Sequence, residues 1–157
     1  MTDALIRAGY RCVYRAARAY WFIMCPQTSG AVVALWNGGR VLLVRSSYRP
    51  HYGFPGGFLR RGEPPAAGAS REVPEELGLV IPTSQLVLAW QGIKTFENRR
   101  DSISIFEASI DPPPPLTANN RELVWVGWTT PADALALRLL PHVRDYLMTL
   151  RPREVSR

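Results

Sequence analysis

Three glutamates, Glu72, Glu75 and Glu76, fall within one short stretch of this chain at a spacing that could do chemistry. On a helix turning about 100° per residue, positions 72 and 76 are about 40° apart and position 75 lies about 60° to the other side of 72, so all three share one face. Carboxylates crowded in this way repel one another and hold their protons more tightly unless a cation neutralises them. An all-oxygen cluster suits a hard ion such as Mg²⁺ or Mn²⁺, and Mg²⁺ favours one or two carboxylates completed by waters and substrate phosphates. The chemistry to expect is metal-assisted attack of water on a phosphorylated substrate. Taken alone, the spacing equally describes a solvated acidic helix face, so the flanking residues decide.

Those residues complete a longer pattern. Gly57 is followed after five residues by Glu63, after seven more by Arg71-Glu72-Val73, and then by Pro74, Glu75-Glu76, Leu77, Gly78 and Leu79. With seven fixed identities at ordinary residue frequencies, chance agreement at a given start is on the order of 10⁻⁹. The segment resembles the complete box of the Nudix hydrolases, and Pro55-Gly56-Gly57 resembles the turn that opens it. The resemblance covers residues 29–150. It implies an α/β fold, a mixed sheet sandwiched between helices (α/β/α). It also implies a pyrophosphohydrolase dependent on Mg²⁺, or on Mn²⁺, that cleaves a nucleoside diphosphate linked to another moiety.

Carried over position by position, the resemblance makes Glu72 and Glu76 the principal metal ligands and Glu75 a supporting one. Glu63 would act through water or by supporting the metal-bound groups, and the Gly56 carbonyl would be a further ligand. Arg71 would orient a carboxylate of the box by ion pairing. The base that activates water would be Glu72 or an acid outside the box: Glu97, Asp101, Glu107 or Glu122, with Glu97 and Asp101 favoured because they sit in a predicted loop. The resemblance implies a small nucleotide as substrate. Thr95 and Phe96 stand where relatives specific for ADP-ribose or diadenosine polyphosphates carry proline or tyrosine. Nucleoside triphosphates, nucleotide sugars, ADP-ribose and 5′-triphosphorylated RNA ends all stay open.

Other residues near the box could bind substrate. Arg45, Arg49, Arg60 and Arg61 could hold phosphates through bidentate contacts or belong to a solvated loop; among them Arg45 and Arg60 or Arg61 are the favoured contacts. Tyr48, Tyr52, Phe54, Trp90 and Phe96 could stack on a base, although core packing is the simpler fate for most of them. His51 and His142 have no partner motif and carry no zinc signature.

These residues need elements to hold them. The stretches Ala31 to Trp36 and Val41 to Val44, joined by Asn37-Gly38-Gly39, predict a strand hairpin. A glycine- and proline-rich loop over Tyr48 to Gly57 follows. The box helix should open at Pro64-Pro65, where the missing N–H costs nothing, and close at Gly78 in the left-handed conformation. Pro74 falls inside that helix, about 200° around from Glu72, and predicts a local distortion on the side away from the carboxylates. Strands are predicted over Leu86 to Ile93, Ile103 to Ile110 and Leu123 to Trp128, with a charged loop from Lys94 to Asp101 and a stiff run from Pro112 to Pro115. Two short helices, Pro131 to Leu140 and His142 to Leu150, end the domain.

The chain of 157 residues, 46% hydrophobic and 20% charged, has the composition of one globular domain. Its net charge of +6 gathers at the ends: Arg7, Arg11, Arg15 and Arg18 against Asp3 in segment 1–28, and Arg151, Arg153 and Arg157 against Glu154 in the basic tail 151–157. The middle is close to neutral, which argues against a nucleic-acid groove. Residues 4–25 predict an amphipathic helix with an arginine stripe. It is too short in its uncharged part to cross a bilayer, and it should dock on its own domain or a second subunit, as in a homodimer. Peripheral contact with an anionic membrane is the other reading. Two cysteines without metal or disulfide spacing and no signal peptide predict a cytoplasmic protein. A Nudix-fold module that binds nucleotide without turnover, or a scaffold docked through the N-terminal helix, are the competing functions. Neither explains why every acidic position of the box is filled.

Overall fold

A computed structural model describes residues 2–116 and 122–150; the basic tail lies outside the described residues. The first helix, α1 (Thr2–Met24), is followed by strands β1 (Gln27–Asn37) and β2 (Arg40–Ser46), joined through Gly38 and Gly39 at φ 51° and 75°. Two positive φ angles in a two-residue turn match the right-handed strand twist, which is why Asn-Gly-Gly is found there. Short strands β3 (Tyr52–Gly53) and β4 (Gly56–Phe58) lead into helix α2 (Pro65–Leu77). After a 3₁₀ turn at Thr83–Gln85 come β5 (Val87–Phe96), β6 (Arg99–Ser109), β7 (Leu123–Thr129) and helices α3 (Pro131–Leu135) and α4 (Pro141–Leu150).

The strands form one mixed seven-stranded sheet with β3-β2-β1-β6-β5 as its main path; β4 pairs with β1 and β7 with β2. The central pair β1 and β6 is parallel, from Gln27 opposite Arg100 to Trp36 opposite Ser109. Alternation along these strands sorts their side chains between two layers. Ala31, Val33 and Leu35 face Ala69 and Val73 of α2, while Val32 and Ala34 face Val143, Tyr146 and Leu147 of α4. Sandwiching of the sheet between helices is thus written in the odd and even positions of one strand.

The box helix behaves as its punctuation directs. Pro64 caps it in extended conformation, Pro65 begins it, and Gly78 ends it at φ 70° with its N–H on the Pro74 carbonyl at 2.9 Å. The distortion predicted at Pro74 does not interrupt the helix, which runs unbroken to Leu77. Pro74 sits in its last turn, so the missing N–H leaves only the Ser70 carbonyl without its usual donor.

A second expectation needs correction. Lys94 to Asp101 is not a loop: β5 and β6 pair all the way to Phe96 opposite Arg99, and only Glu97 and Asn98, at φ 51° and 61°, make the turn. The positive φ values that this turn demands are uncommon for glutamate, which hides it from a sequence reading. Asp101 is consequently a buried strand residue hydrogen-bonded to Thr28 of β1. Lys94 pairs with Asp145 and ties β5 to α4.

Helix α1 lies against the domain. Its half-buried residues Asp3, Ile6, Arg7, Tyr14, Ala17 and Trp21 follow a three-and-four rhythm that makes one stripe. The Tyr14 hydroxyl donates to Glu97, and the Tyr10 ring stacks on Tyr48 at 6.1 Å. Among the described residues no helix is long and apolar enough to cross a membrane.

Candidate active site

The turn Phe54-Pro55-Gly56-Gly57 is drawn under α2 by strand pairing. Ala31 stands opposite Gly57 and Val32 opposite Gly56, and the Pro55 carbonyl accepts from the Val33 N–H at 2.8 Å. Glycine is required at both positions for different reasons. Gly56 adopts φ 137° and a Cβ there would lie 2.3 Å from the Ala31 carbonyl oxygen; a Cβ at Gly57 would meet the Glu72 carboxyl carbon at 2.8 Å. The backbone can therefore approach the helix carboxylates closely, and the Gly56 N–H donates to Glu76 Oε2 at 2.8 Å.

Above this turn is a cavity of about 290 Å³, near the lower end for a small-molecule site. Its lining carries acids, Glu72 and Glu76 from α2, Glu122 just before β7 and Asp101 from β6, together with two bases, Arg49 and Arg99. Tyr48 holds Glu122 in place by donating to it at 3.1 Å, while the Glu122 carbonyl accepts from the Ser47 N–H at 2.7 Å. Burial, and then repulsion from Glu122, Glu72 and Glu75, push the Glu76 carboxyl up to about 8. A carboxyl held that high keeps its proton at neutral pH unless a positive charge is placed beside it.

The other acids of the box face elsewhere. Glu63 is gripped by Arg71, which donates to it through Nε at 2.8 Å and Nη2 at 3.0 Å, and it also accepts the Arg60 N–H at 2.8 Å. The fork of Arg71 holds the Glu63 carboxyl down to about 2, and its remaining nitrogen reaches Glu72. Glu75 is exposed and does not line the cavity. Among the described residues, no three His, Cys, Asp or Glu side chains are already drawn together as a metal cluster. The donor set still fits a hard cation: carboxylate oxygens from Glu72, Glu76 and Glu122 line one cavity, and the glycine turn leaves room beside them.

Of the four arginines that the sequence offers as phosphate contacts, the three favoured ones lie outside this cavity. Arg45 stacks over the Tyr52 ring at 5.4 Å and is not among the cavity residues, while Arg60 and Arg61 line a separate shallow groove with Glu63. The cavity is supplied instead by Arg49, from the loop after β2, and Arg99, at the start of β6. Of the acids outside the box, Glu97 is engaged by Tyr14 and Arg49, Asp101 by Thr28 and Arg99, and Glu107 by Tyr146. Glu122 is the one whose charge bears on Glu76. Position in a presumed loop favoured Glu97 and Asp101; proximity to the helix carboxylates, which the sequence does not display, favours Glu122.

The raised Glu76 carboxyl has a measurable consequence. In the folded state it keeps a proton to about pH 8 that the unfolded chain releases near 4.5, so metal-free stability should fall as pH rises between those values. His142, pushed down to about 4 by burial, acts in the opposite direction up to its ordinary 6.5. The window belonging to Glu76 is therefore pH 6.5 to 8. Melting temperatures in EDTA should decline across it for wild type and stay flatter for Glu76→Gln; equal slopes would refute the assignment.

Comparison with known proteins agrees with this geometry. A NUDIX domain model matches residues 26–150. A MutT-like protein of Streptomyces ambofaciens is 30% identical over 132 residues, covering 75% of this chain and 82% of its own. A MutT protein of Methanosarcina mazei superposes with a TM-score of 0.70 at 20% identity, over 84% of this chain and 97% of that one. An Ap4A hydrolase of C. elegans gives 0.64 at 20% identity, over 83% and 98%.

Proposed function

Because the chain belongs to the Nudix family, we propose that it is a Mg²⁺-dependent pyrophosphohydrolase acting on a nucleoside diphosphate linked to another moiety. The observation that carries this reading is the shared cavity wall of Glu72, Glu76 and Glu122, with the Glu76 carboxyl pushed up to about 8 by burial and then by its acidic neighbours. Glu72 and Glu76 would hold the ion, and the hydrogen bond from the Gly56 N–H fixes the direction of one Glu76 oxygen. Bound Mg²⁺, or Mn²⁺ in its place, neutralises phosphate oxygens and makes nearby water more acidic.

The remaining work falls to the chain. Glu122 takes a proton from the attacking water as its oxygen bonds to phosphorus and the bridging oxygen leaves with the other phosphate. Tyr48 orients Glu122 for this step. Arg71 keeps Glu63 out of the reaction and steadies Glu72. The near-neutral body of the domain suits small nucleotides over long nucleic acid, with RNA 5′ ends the one exception in view. The test is product release from nucleoside triphosphates, nucleotide sugars, ADP-ribose and dinucleotides, with Mg²⁺ or EDTA. Metal-dependent cleavage is expected, with Glu122→Gln lowering kcat about 100-fold. Nucleotide binding without turnover would favour the binding-module reading, and full activity of the variant would return the base to Glu72.

A second reading concerns α1 alone. Leu5, Phe22 and Ile23 on its outer side are 69% to 76% exposed, and Arg11, Arg15 and Arg18 are exposed beside them. Apolar side chains bordered by arginines fit the surface of an anionic bilayer, so we propose a cytoplasmic protein that contacts membrane peripherally. The exposed free cysteines Cys12 and Cys25 are in keeping with a reducing compartment. Co-sedimentation with phosphatidylserine vesicles should be lost in a Phe22→Ser, Ile23→Ser double variant. No binding by wild type, or a dimer through this face in light scattering, would replace the membrane with a second copy.

A further inference from the structure

The two arginines of the cavity, Arg49 and Arg99, take no part in the chemistry described so far. Arg99 is only 2% exposed, yet a single carboxylate contact is recorded for it: Nη2 to Asp101 at 3.1 Å. Its Nε and Nη1 are buried without a hydrogen-bond partner among the described residues. Asp101 is itself shared with Thr28. A guanidinium buried with two nitrogens unmet is costly, and such a cost persists where a ligand repays it.

The plane of that guanidinium is held by aromatic rings. Trp21 of α1 lies 3.9 Å from it and Phe58 4.9 Å, measured to the ring centroids. Arg49, which lines the same cavity, is fixed in a similar way: it lies over Tyr14 at 5.1 Å and Tyr48 at 5.7 Å and donates from Nε to the Tyr14 hydroxyl at 3.2 Å. Stacking on aromatic faces immobilises a guanidinium while leaving its edge free to donate, which is the arrangement that recognises phosphate. Arginine is preferred to lysine for this because its fork is rigid.

We propose that Arg49 and Arg99 form a phosphate-binding subsite within the cavity that Glu72 and Glu76 also line, and that α1 is part of the active site because Tyr14 and Trp21 position those two arginines. This rests on the hydrolase reading for the identity of the substrate, though not for the existence of the subsite. The carboxylates require a cation before they accept a diphosphate; the two arginines bind an anionic group directly. Substrates with a further phosphoryl group beyond the cleaved linkage are favoured over those ending in an uncharged sugar.

The test is titration calorimetry of inorganic pyrophosphate in EDTA, where the carboxylates contribute only repulsion. Wild type and Glu76→Gln should both bind, Arg99→Met and Arg49→Gln should each weaken binding at least about tenfold, and Trp21→Ala should weaken it while Trp21→Phe restores it. Because Arg99 is buried, Arg49→Gln decides the matter if Arg99→Met does not fold. Absence of metal-free binding in wild type, or unchanged affinity in both arginine variants or in Trp21→Ala, overturns the proposal. Turnover is not read here, so the two readings fail separately. A protein that binds pyrophosphate through Arg49 and Arg99 without hydrolysing nucleotides keeps the subsite and loses the enzyme; the reverse result keeps the enzyme alone.

Discussion

Glu76→Gln is expected to lower kcat by about 1,000-fold while leaving the fold intact. Glutamine has the same shape and still offers an oxygen to the Gly56 N–H, so the hydrogen bond that anchors the turn at 2.8 Å can persist. What it cannot do is exchange a proton for a cation. The wild-type carboxyl, pushed up to about 8 by burial and by Glu122, Glu72 and Glu75, would ionise fully at neutral pH only beside a bound cation. Affinity for Mn²⁺ should fall with kcat, whereas nucleotide affinity in the absence of metal should change little. Glu75→Gln is the contrasting variant: its side chain is exposed and outside the cavity, so its activity should stay within about tenfold of wild type. Steady-state kinetics of the two variants side by side separate a ligand from a neighbouring charge; similar losses in both would mean that the helix face acts only through its total charge.

Gly56→Ala is expected to destabilise the protein by about 3 kcal/mol or more. Two penalties coincide there. The φ of 137° is a conformation that L side chains rarely adopt, and the added methyl would sit 2.3 Å from the Ala31 carbonyl oxygen and 2.6 Å from the Val32 Cα, both backbone atoms of the central strand. Neither can move without disturbing the parallel pair of β1 and β6. Gly62 is the control: its φ is 76° but nothing lies within 4 Å of a Cβ, so alanine there should cost about 1 kcal/mol from backbone strain alone. Urea midpoints at constant m measure both. Equal losses at the two positions would show that the close packing of the turn beneath α2 contributes nothing.

The parts of this structure that were legible in the sequence are those encoded by neighbours along the chain. Pro65 and Gly78 mark the ends of α2 because each residue type satisfies a local backbone requirement, and the spacing of Glu72 and Glu76 places them on one helix face. The hairpin at Gly38-Gly39 is equally local. What escaped was set by contacts distant in sequence. Arg99 faces the cavity only because β6 runs parallel to β1 and α1 folds back to lay Trp21 on it. Glu122 reaches the helix carboxylates because β7 pairs with β2, which no spacing announces. Arg45, attractive at the end of a strand, turns toward Tyr52 instead. The turn at Glu97-Asn98 was missed because neither residue is the glycine that usually signals two positive φ angles.

The central claim, that a divalent cation is held by the α2 carboxylates within this cavity, is tested most directly by anomalous diffraction from crystals grown with Mn²⁺. The account predicts a peak about 2.1 Å from carboxylate oxygens of Glu72 and Glu76, next to the Gly56-Gly57 turn and absent in Glu76→Gln. A peak lodged instead between Glu63 and the shallow groove of Arg60 and Arg61, or one that persists unchanged in Glu76→Gln, would contradict it.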